Sequence, residues 1–235
     1  MSGLSVAAEE LIKIYRSRRV RYRALCGVSL ELAPGEFAVV TGTSGSGKST
    51  LLNLLAGLEP PTSGVIRIGD QRIDRMSEDR LAVFRLKHTG FVFQNFNLLP
   101  DLTVLENTAL PLMIGGMGRK EREERASSLL GRLGLRAHLT HLPSELSGGQ
   151  QQRTAIARAL VTEPQVLFAD EPTGNLDSRT ADEVMDLLIR EVRERDMTLL
   201  MVTHDDKRAA RADRIIEIRD GQVENDFAGG IDERI

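Results

Sequence analysis

The sequence predicts an α/β fold: a parallel sheet with helices on its faces, joined by an antiparallel β subdomain and a helical subdomain. Three observations carry this reading. First, the apolar run Phe37-Ala38-Val39-Val40 reads as a buried strand that leads through a glycine-rich loop into a Leu/Ala-rich helix, Ser49 to Leu58. Second, the last third of the chain alternates helix and strand. A helix from about Gly148 to Val161 is followed by strand Val166 to Ala169, helix Ala181 to Arg195, and strands Thr198 to Thr203 and Arg214 to Ile218. Such alternation builds parallel sheets. Third, Thr103 to Leu135 has a helical pattern whose charged segment, Arg119 to Arg125, reads as a solvated face, so a helical insert interrupts the α/β order.

Before the glycine-rich loop, Leu11 to Tyr15 and Val28 to Leu32 have strand character and flank the basic stretch Arg16 to Arg23. After the first helix, the turn signal Pro60-Pro61-Thr62-Ser63-Gly64 precedes strand Val65 to Ile68 and a turn at Gly69-Asp70. These strands form the antiparallel layer.

The 235 residues, 41% hydrophobic and 28% charged, suffice for an ordinary core in one domain or one domain plus a subdomain. A net charge of −3 offers no large basic field, so nucleic acid is not the expected partner. The single cysteine, Cys26, has no companion for a disulfide or a metal site; it suits a reducing compartment and reads as a small hydrophobe. No apolar stretch approaches the roughly 18 residues needed to span a bilayer. The start, Met1-Ser2-Gly3, lacks the apolar region of a signal peptide. The chain reads as soluble by itself.

Residues Gly42-Thr43-Ser44-Gly45-Ser46-Gly47-Lys48-Ser49 fit the phosphate-binding pattern G-x-x-x-x-G-K-[ST], with Thr50 next in the helix. Its glycines let backbone N–H groups turn inward around phosphates, and the helix start adds its positive dipole end. Lys48 reaches the outer phosphates and Ser49 is a Mg²⁺ ligand, so a nucleoside triphosphate is the expected ligand. The apolar strand Val166 to Ala169 ends in Asp170 and Glu171, at the carboxyl edge where ligands of open α/β sheets bind. Asp170 is suited to Mg²⁺ alongside Ser49, and Glu171 to the general base for an attacking water. In Leu146-Ser147-Gly148-Gly149-Gln150, Ser147 is a helix N-cap and the two glycines leave the following amides open, a second anion-binding terminus.

With this LSGGQ segment and the phosphate loop together, the chain resembles the nucleotide-binding subunits of ATP-binding-cassette (ABC) transporters, from about Leu11 to Val223. The resemblance implies a P-loop NTPase core in one ATP-binding domain over 4–235. Its antiparallel layer would occupy about 4–35 and 60–75, a RecA-like core 36–59, 76–94 and 163–225, and a helical subdomain with the signature segment 95–162. It further implies that ATP and Mg²⁺ are bound, and that two copies meet head to tail, each offering Ser147, Gly148, Gly149 and Gln150 to the other's ATP. Residue by residue, Gln94 matches the glutamine loop that touches Mg²⁺ and water and couples to the membrane partner. His204 matches the switch histidine at the γ-phosphate, and Asp177, in Asn175-Leu176-Asp177, the loop joining the two sites. Tyr15 stands where a ring stacks on adenine; the other reading is a strand aromatic packed on the β layer.

Phe91 to Pro100, Thr103 to Asn107 and Asp170 to Asp177 resemble the subfamily that serves lipoprotein release, macrolide export, antimicrobial-peptide defence and cell division. The resemblance implies an ATP-driven motor at the cytoplasmic face of the cell membrane, held there by integral permease subunits with large extracytoplasmic domains. The alternative is a non-transport ATPase that regulates an extracytoplasmic cell-wall hydrolase through its membrane partner. The five arginines of the Arg16 to Arg23 stretch read either as a solvated hairpin or as a contact for nucleotide phosphates or anionic lipid. The chain stops soon after Gly221-Gln222-Val223, leaving no room for the regulatory domain of some importers, so import is not the expectation.

Overall fold

A computed structural model describes residues 2–16 and 21–229. Strands β1 (Val6–Arg16) and β2 (Arg21–Leu32) precede β3 (Phe37–Thr41), which leads through the phosphate loop into α1 (Lys48–Leu55). Then come β4 (Ser63–Ile68), β5 (Gln71–Arg72), α2 (Glu78–His88) and β6 (Thr89–Val92). Helices α3 (Val104–Ile114), α4 (Arg119–Arg132) and α5 (Gly148–Leu160) follow. The chain closes with β7 (Val166–Asp170), α6 (Ser178–Glu194), β8 (Thr198–Val202), α7 (Asp206–Ala209), β9 (Arg214–Arg219) and β10 (Gln222–Ala228).

Two sheets result, in the orders β2-β1-β4-β5 and β10-β9-β3-β8-β7-β6. The first is antiparallel; the second is parallel except for its edge strand β10. The fold is thus the α/β arrangement with an antiparallel layer and a helical part that the sequence predicts.

The central strands are apolar throughout because both of their faces are covered. Successive side chains alternate across the sheet. Phe37, Val39, Leu167, Ala169, Leu199 and Met201 join a core shared with α4, α5 and α6. Their neighbours Ala38, Val40, Val166, Phe168, Leu200 and Val202 join a core with α1 and the antiparallel sheet. Helix α6 buries Ala181, Val184, Met185, Leu188 and Val192, the three- and four-residue spacing of one helical face. Near the start of α3, the buried Asn107 amide donates to the carbonyls of Leu99, Leu102 and Thr103 in the segment before the helix.

Several boundaries differ from the sequence reading. β1 and β2 run longer than their apolar stretches, since shifts in register at Ala8/Leu11 and Lys13/Ile14 let polar positions remain in the ladder. The helical segment after Thr103 splits into α3 and α4 at Gly115 to Gly118, where Gly116 takes φ 82°. Helix α2 was not legible by periodicity because only Leu81 and Phe84 are buried. Its charges carry the signal instead: Glu78 and Asp79 in the first turn, Arg85, Lys87 and His88 in the last, matching the helix dipole. Cys26 is half-buried in β2, its amide donating to Gly221 O at 2.8 Å.

Candidate active site

The phosphate loop leaves β3 at Gly42 and enters α1 at Gly47. Both glycines are fixed by space as well as by dihedral. A Cβ at Gly47, φ 107°, would lie 2.6 Å from Ala24 O, and one at Gly42, φ 138°, would collide with Ile218 O. A Cβ at Gly45, φ 79°, would meet nothing within 4 Å among the described residues. Gly47 caps α1 without a side chain, so among the described residues no side-chain cap accepts from the first amides of the helix. Lys48, largely buried, donates from Nζ to Gly42 O at 2.9 Å and Thr43 O at 2.8 Å. Ser49 Oγ donates to Asp170 Oδ1 at 3.1 Å, bringing together two oxygens that are 121 positions apart in the chain.

Asp170 and Glu171 sit at the carboxyl end of β7, next to β8. Burial pushes the Asp170 carboxyl above the ordinary range, and the Glu171 charge adds to this; the Ser49 hydrogen bond and the Lys48 charge oppose it. A carboxylate raised in the fold lowers stability above its ordinary titration range, and the loss is relieved as pH falls through the raised value. Asp170→Asn should therefore raise the melting temperature of the nucleotide-free protein at neutral pH and lose that advantage in acid. Each ~1 kcal/mol relieved corresponds to about 2–4 °C in a chain of this size. Thermal scans across pH check the sign.

Glu171 takes φ 43°, and its amide donates to Val202 O at 2.9 Å, which turns the side chain away from the strand direction. Glu171 Oε1 lies 3.1 Å from Nδ1 of the exposed His204, just beyond β8. The other carboxylate oxygen and Gln94 Nε2 share the space over Gly174: a Cβ there would lie 3.2 Å and 3.0 Å from them. The structure thus brings Lys48, Ser49, Asp170, Glu171, His204 and Gln94 around one end of the parallel sheet. A cavity of about 430 Å³ is lined by Gly42, Ser44, Gly45, Gly47, Lys48, Ser49, Thr50, Glu171, His204 and Tyr22. Thr43 and Ser46 complete the loop.

Ser147, Gly148, Gly149 and Gln150 do not line this cavity. Ser147 caps α5 in a reciprocal capping box with Gln150. Gly149 packs against Thr180, and Gly148 against Leu176 at 3.2 Å from a would-be Cβ. Asp177 caps α6, accepting from Thr180 N at 3.1 Å. Asn175 Nδ2 donates to Gln94 O and Asn95 Oδ1, both at 3.0 Å, tying this loop to the glutamine loop.

Tyr15 lies beside the cavity, not in its lining. Its hydroxyl donates to Glu59 Oε2 at 2.9 Å, and Lys13 Nζ stands 5.1 Å from its ring centre. Its cross-strand partner Tyr22 donates to Gly45 O at 2.9 Å and does line the cavity. The sequence reading missed Tyr22; the pairing of two aromatics across β1 and β2 was its only signal. It also missed Arg158 of α5, a guanidinium desolvated by burial that donates to the carbonyls of Phe96, at 2.7 Å, and Asn97. Those two residues take φ 59° and 50°, so Arg158 holds a strained bend next to Gln94. Of the basic stretch, Arg16, Arg21 and Arg23 are exposed on β1 and β2, while Arg18 and Arg19 lie outside the described residues.

A phosphate loop, an acid pair at the end of β7 and a histidine just beyond β8 fit a site that hydrolyses a nucleoside triphosphate. The sequence model of the ABC transporter family matches residues 25–174, and the chain belongs to that family. It is 49% identical over 214 residues to the lipoprotein-releasing system ATP-binding protein LolD of Geobacter metallireducens, covering 91% of this chain and 95% of that one. It is 48% identical over 221 residues to the macrolide export ATP-binding/permease protein MacB of Syntrophobacter fumaroxidans, covering 93% of this chain but 31% of that one. The chain thus spans about a third of the length of that MacB relative. Among solved structures, the dimeric ABC transporter cassette MJ0796 is 42% identical with a TM-score of 0.88, over 95% of this chain and 98% of that one. The same cassette matches equally well in a post-hydrolysis dimer bound to ADP and Pi. The chain is an ATP hydrolase of the ABC type.

Proposed function

We propose that two copies of this chain close head to tail around two ATP and drive a membrane permease of the extruder, lipoprotein-release or mechanotransmission type. One observation carries the dimer: Ser147 to Gln150, the capped start of α5, stands outside the cavity that holds Lys48, Glu171 and His204. A second copy supplies it. That the similar cassette is solved as a dimer supports the pairing of two copies.

In this reading ATP places its phosphates on the Gly42 to Ser49 amides and Lys48, with Tyr15 stacked on adenine and Thr50 and Tyr22 flanking the loop. Ser49 Oγ, an Asp170 carboxylate oxygen and the Gln94 side chain form a hard-oxygen set that fits Mg²⁺. Held there, Mg²⁺ would neutralise charge on the phosphates. Glu171 accepts the proton of the attacking water, and His204 orients that water and the γ-phosphate. The partner's Ser147, Gly148 and Gly149 aim their dipoles at the charge developing on the other side, and closure excludes water. Asp177 lies in the loop that joins the two sites.

Among the described residues, no helix is long and apolar enough to cross a membrane. We place the chain at the cytoplasmic face of the membrane, held by the permease; no nucleic acid is required. The MacB relatives carry ATP-binding and permease parts in one chain. The seat we assign to the permease is a groove floored by Leu86, Phe91, Pro111 and Arg158, beside the exposed Met113 and Ile114. Arg158 connects this groove to the glutamine loop.

The test is capture of tagged Glu171→Gln chain from its own membranes in ATP, with the bound proteins identified by mass. A co-purifying permease with a large extracytoplasmic domain is the expected result. An extracytoplasmic cell-wall hydrolase held through that permease would favour the regulatory alternative, and recovery without any membrane protein would contradict both.

A further inference from the structure

Gln150 belongs to the signature segment, but its side chain turns back toward its own helix start. Gln150 Oε1 accepts from the Ser147 N–H at 2.9 Å, and the Gln150 N–H donates to Ser147 Oγ at 3.3 Å. Its Nε2 lies 3.1 Å from Nε2 of His138, the last residue of a single 3₁₀ turn, Arg136–His138. Because Oε1 is committed as acceptor, the nitrogen end of the amide is the donor. The facing histidine nitrogen, His138 Nε2, is then the acceptor of this contact.

The imidazole is not a loose surface group. Among the described residues its buried Nδ1 has no partner, and its ring centre is 5.1 Å from that of His141, whose Nδ1 is likewise buried. The segment carrying both rings is pinned to the start of α3: Val104 N donates to His141 O at 2.9 Å and Leu105 N to Leu139 O at 3.0 Å. A continuous set of hydrogen bonds and ring contacts therefore runs from the first turn of α3 through His138 and Gln150 to Ser147.

We propose that His138 is a positioning residue for ATP hydrolysis: by accepting from the Gln150 amide it fixes the pose in which Ser147, Gly148 and Gly149 are presented to the ATP of the second copy. This role rests on the head-to-tail dimer proposed above. His138 touches neither nucleotide nor reacting atoms. Loss of its acceptor frees the Gln150 amide to rotate, which loosens the Ser147 cap and the start of α5.

The experiment measures ATP-driven dimerisation by sedimentation in the Glu171→Gln background, ATP affinity of the dilute monomer with a fluorescent ATP analogue, and kcat in the otherwise wild-type chain. His138→Leu should weaken dimerisation and lower kcat about three- to tenfold, the range a single net hydrogen bond spans. Monomer ATP affinity should stay within about twofold, because the phosphate loop is untouched. His138→Gln, whose Oε1 can accept near the position of the imidazole Nε2, should restore both.

Dimerisation of His138→Leu equal to that of its parent overturns the proposal. So does a parallel loss of monomer ATP affinity, which marks general damage to the fold, or a His138→Gln variant as impaired as His138→Leu. Failure of the Glu171→Gln parent itself to dimerise overturns the head-to-tail reading, and this role with it.

Discussion

Glu171→Gln is expected to cut ATP turnover by about a hundredfold or more while leaving ATP binding intact and trapping a nucleotide-bound dimer. Glutamine keeps the size of the side chain and an oxygen that can face His204 Nδ1, so the 3.1 Å contact can survive. The backbone at φ 43° and the Val202 hydrogen bond do not depend on the carboxylate. What is lost is the capacity to take a proton, and removal of a positioned general base typically costs two to four orders of magnitude. Because the negative charge next to Asp170 also disappears, its carboxyl should return toward the ordinary range. Steady-state hydrolysis together with sedimentation in ATP measures both effects. Turnover within about threefold of wild type would remove Glu171 from the base role.

Lys48→Ala should abolish turnover by a different route, weakening ATP binding itself by roughly a hundredfold or more. The ammonium is largely buried and bridges Gly42 O and Thr43 O, so it is already directed into the loop that receives phosphates. Its removal takes away a charge-assisted donor and leaves two loop carbonyls without it. It also takes away a cation that lowers the Asp170 carboxyl, so Asp170 should move further up and its usefulness as a metal ligand at neutral pH should fall. Titration with a fluorescent ATP analogue separates the two variants: Glu171→Gln binds and does not turn over, whereas Lys48→Ala does not bind. Wild-type affinity in Lys48→Ala would contradict the assignment.

The legible parts of this protein were those where chemistry and periodicity coincide. The glycines at 42 and 47 are demanded by contact with β9 and β2, and β7 had to be apolar on both faces and end in acids, so motif and fold spoke together. Helix α2 and strand β10 were illegible because both lie largely at the surface and show little apolar spacing. Tyr22, Arg158 and His138 were missed for another reason. Each acts on a residue distant in sequence, at Gly45, at Phe96 and Asn97, and at Gln150, through hydrogen bonds that no local pattern announces. Tyr15 shows the converse: its place in the sequence was readable, but its partnership with Glu59 and Lys13 appears only once β1 lies beside the loop after α1.

The central claim is that each ATP is hydrolysed between the phosphate loop of one copy and the signature segment of the other. Its most direct test mixes two separately inactive chains, Lys48→Ala and Ser147→Arg. In a head-to-tail dimer the mixed pair carries both defects in one site and leaves the other intact. With half of the dimers mixed and one site of two working in each, hydrolysis should rise from background toward about a quarter of wild type. Activity that stays at the background of the separate chains would mean that each copy completes its site alone, and the account would be wrong.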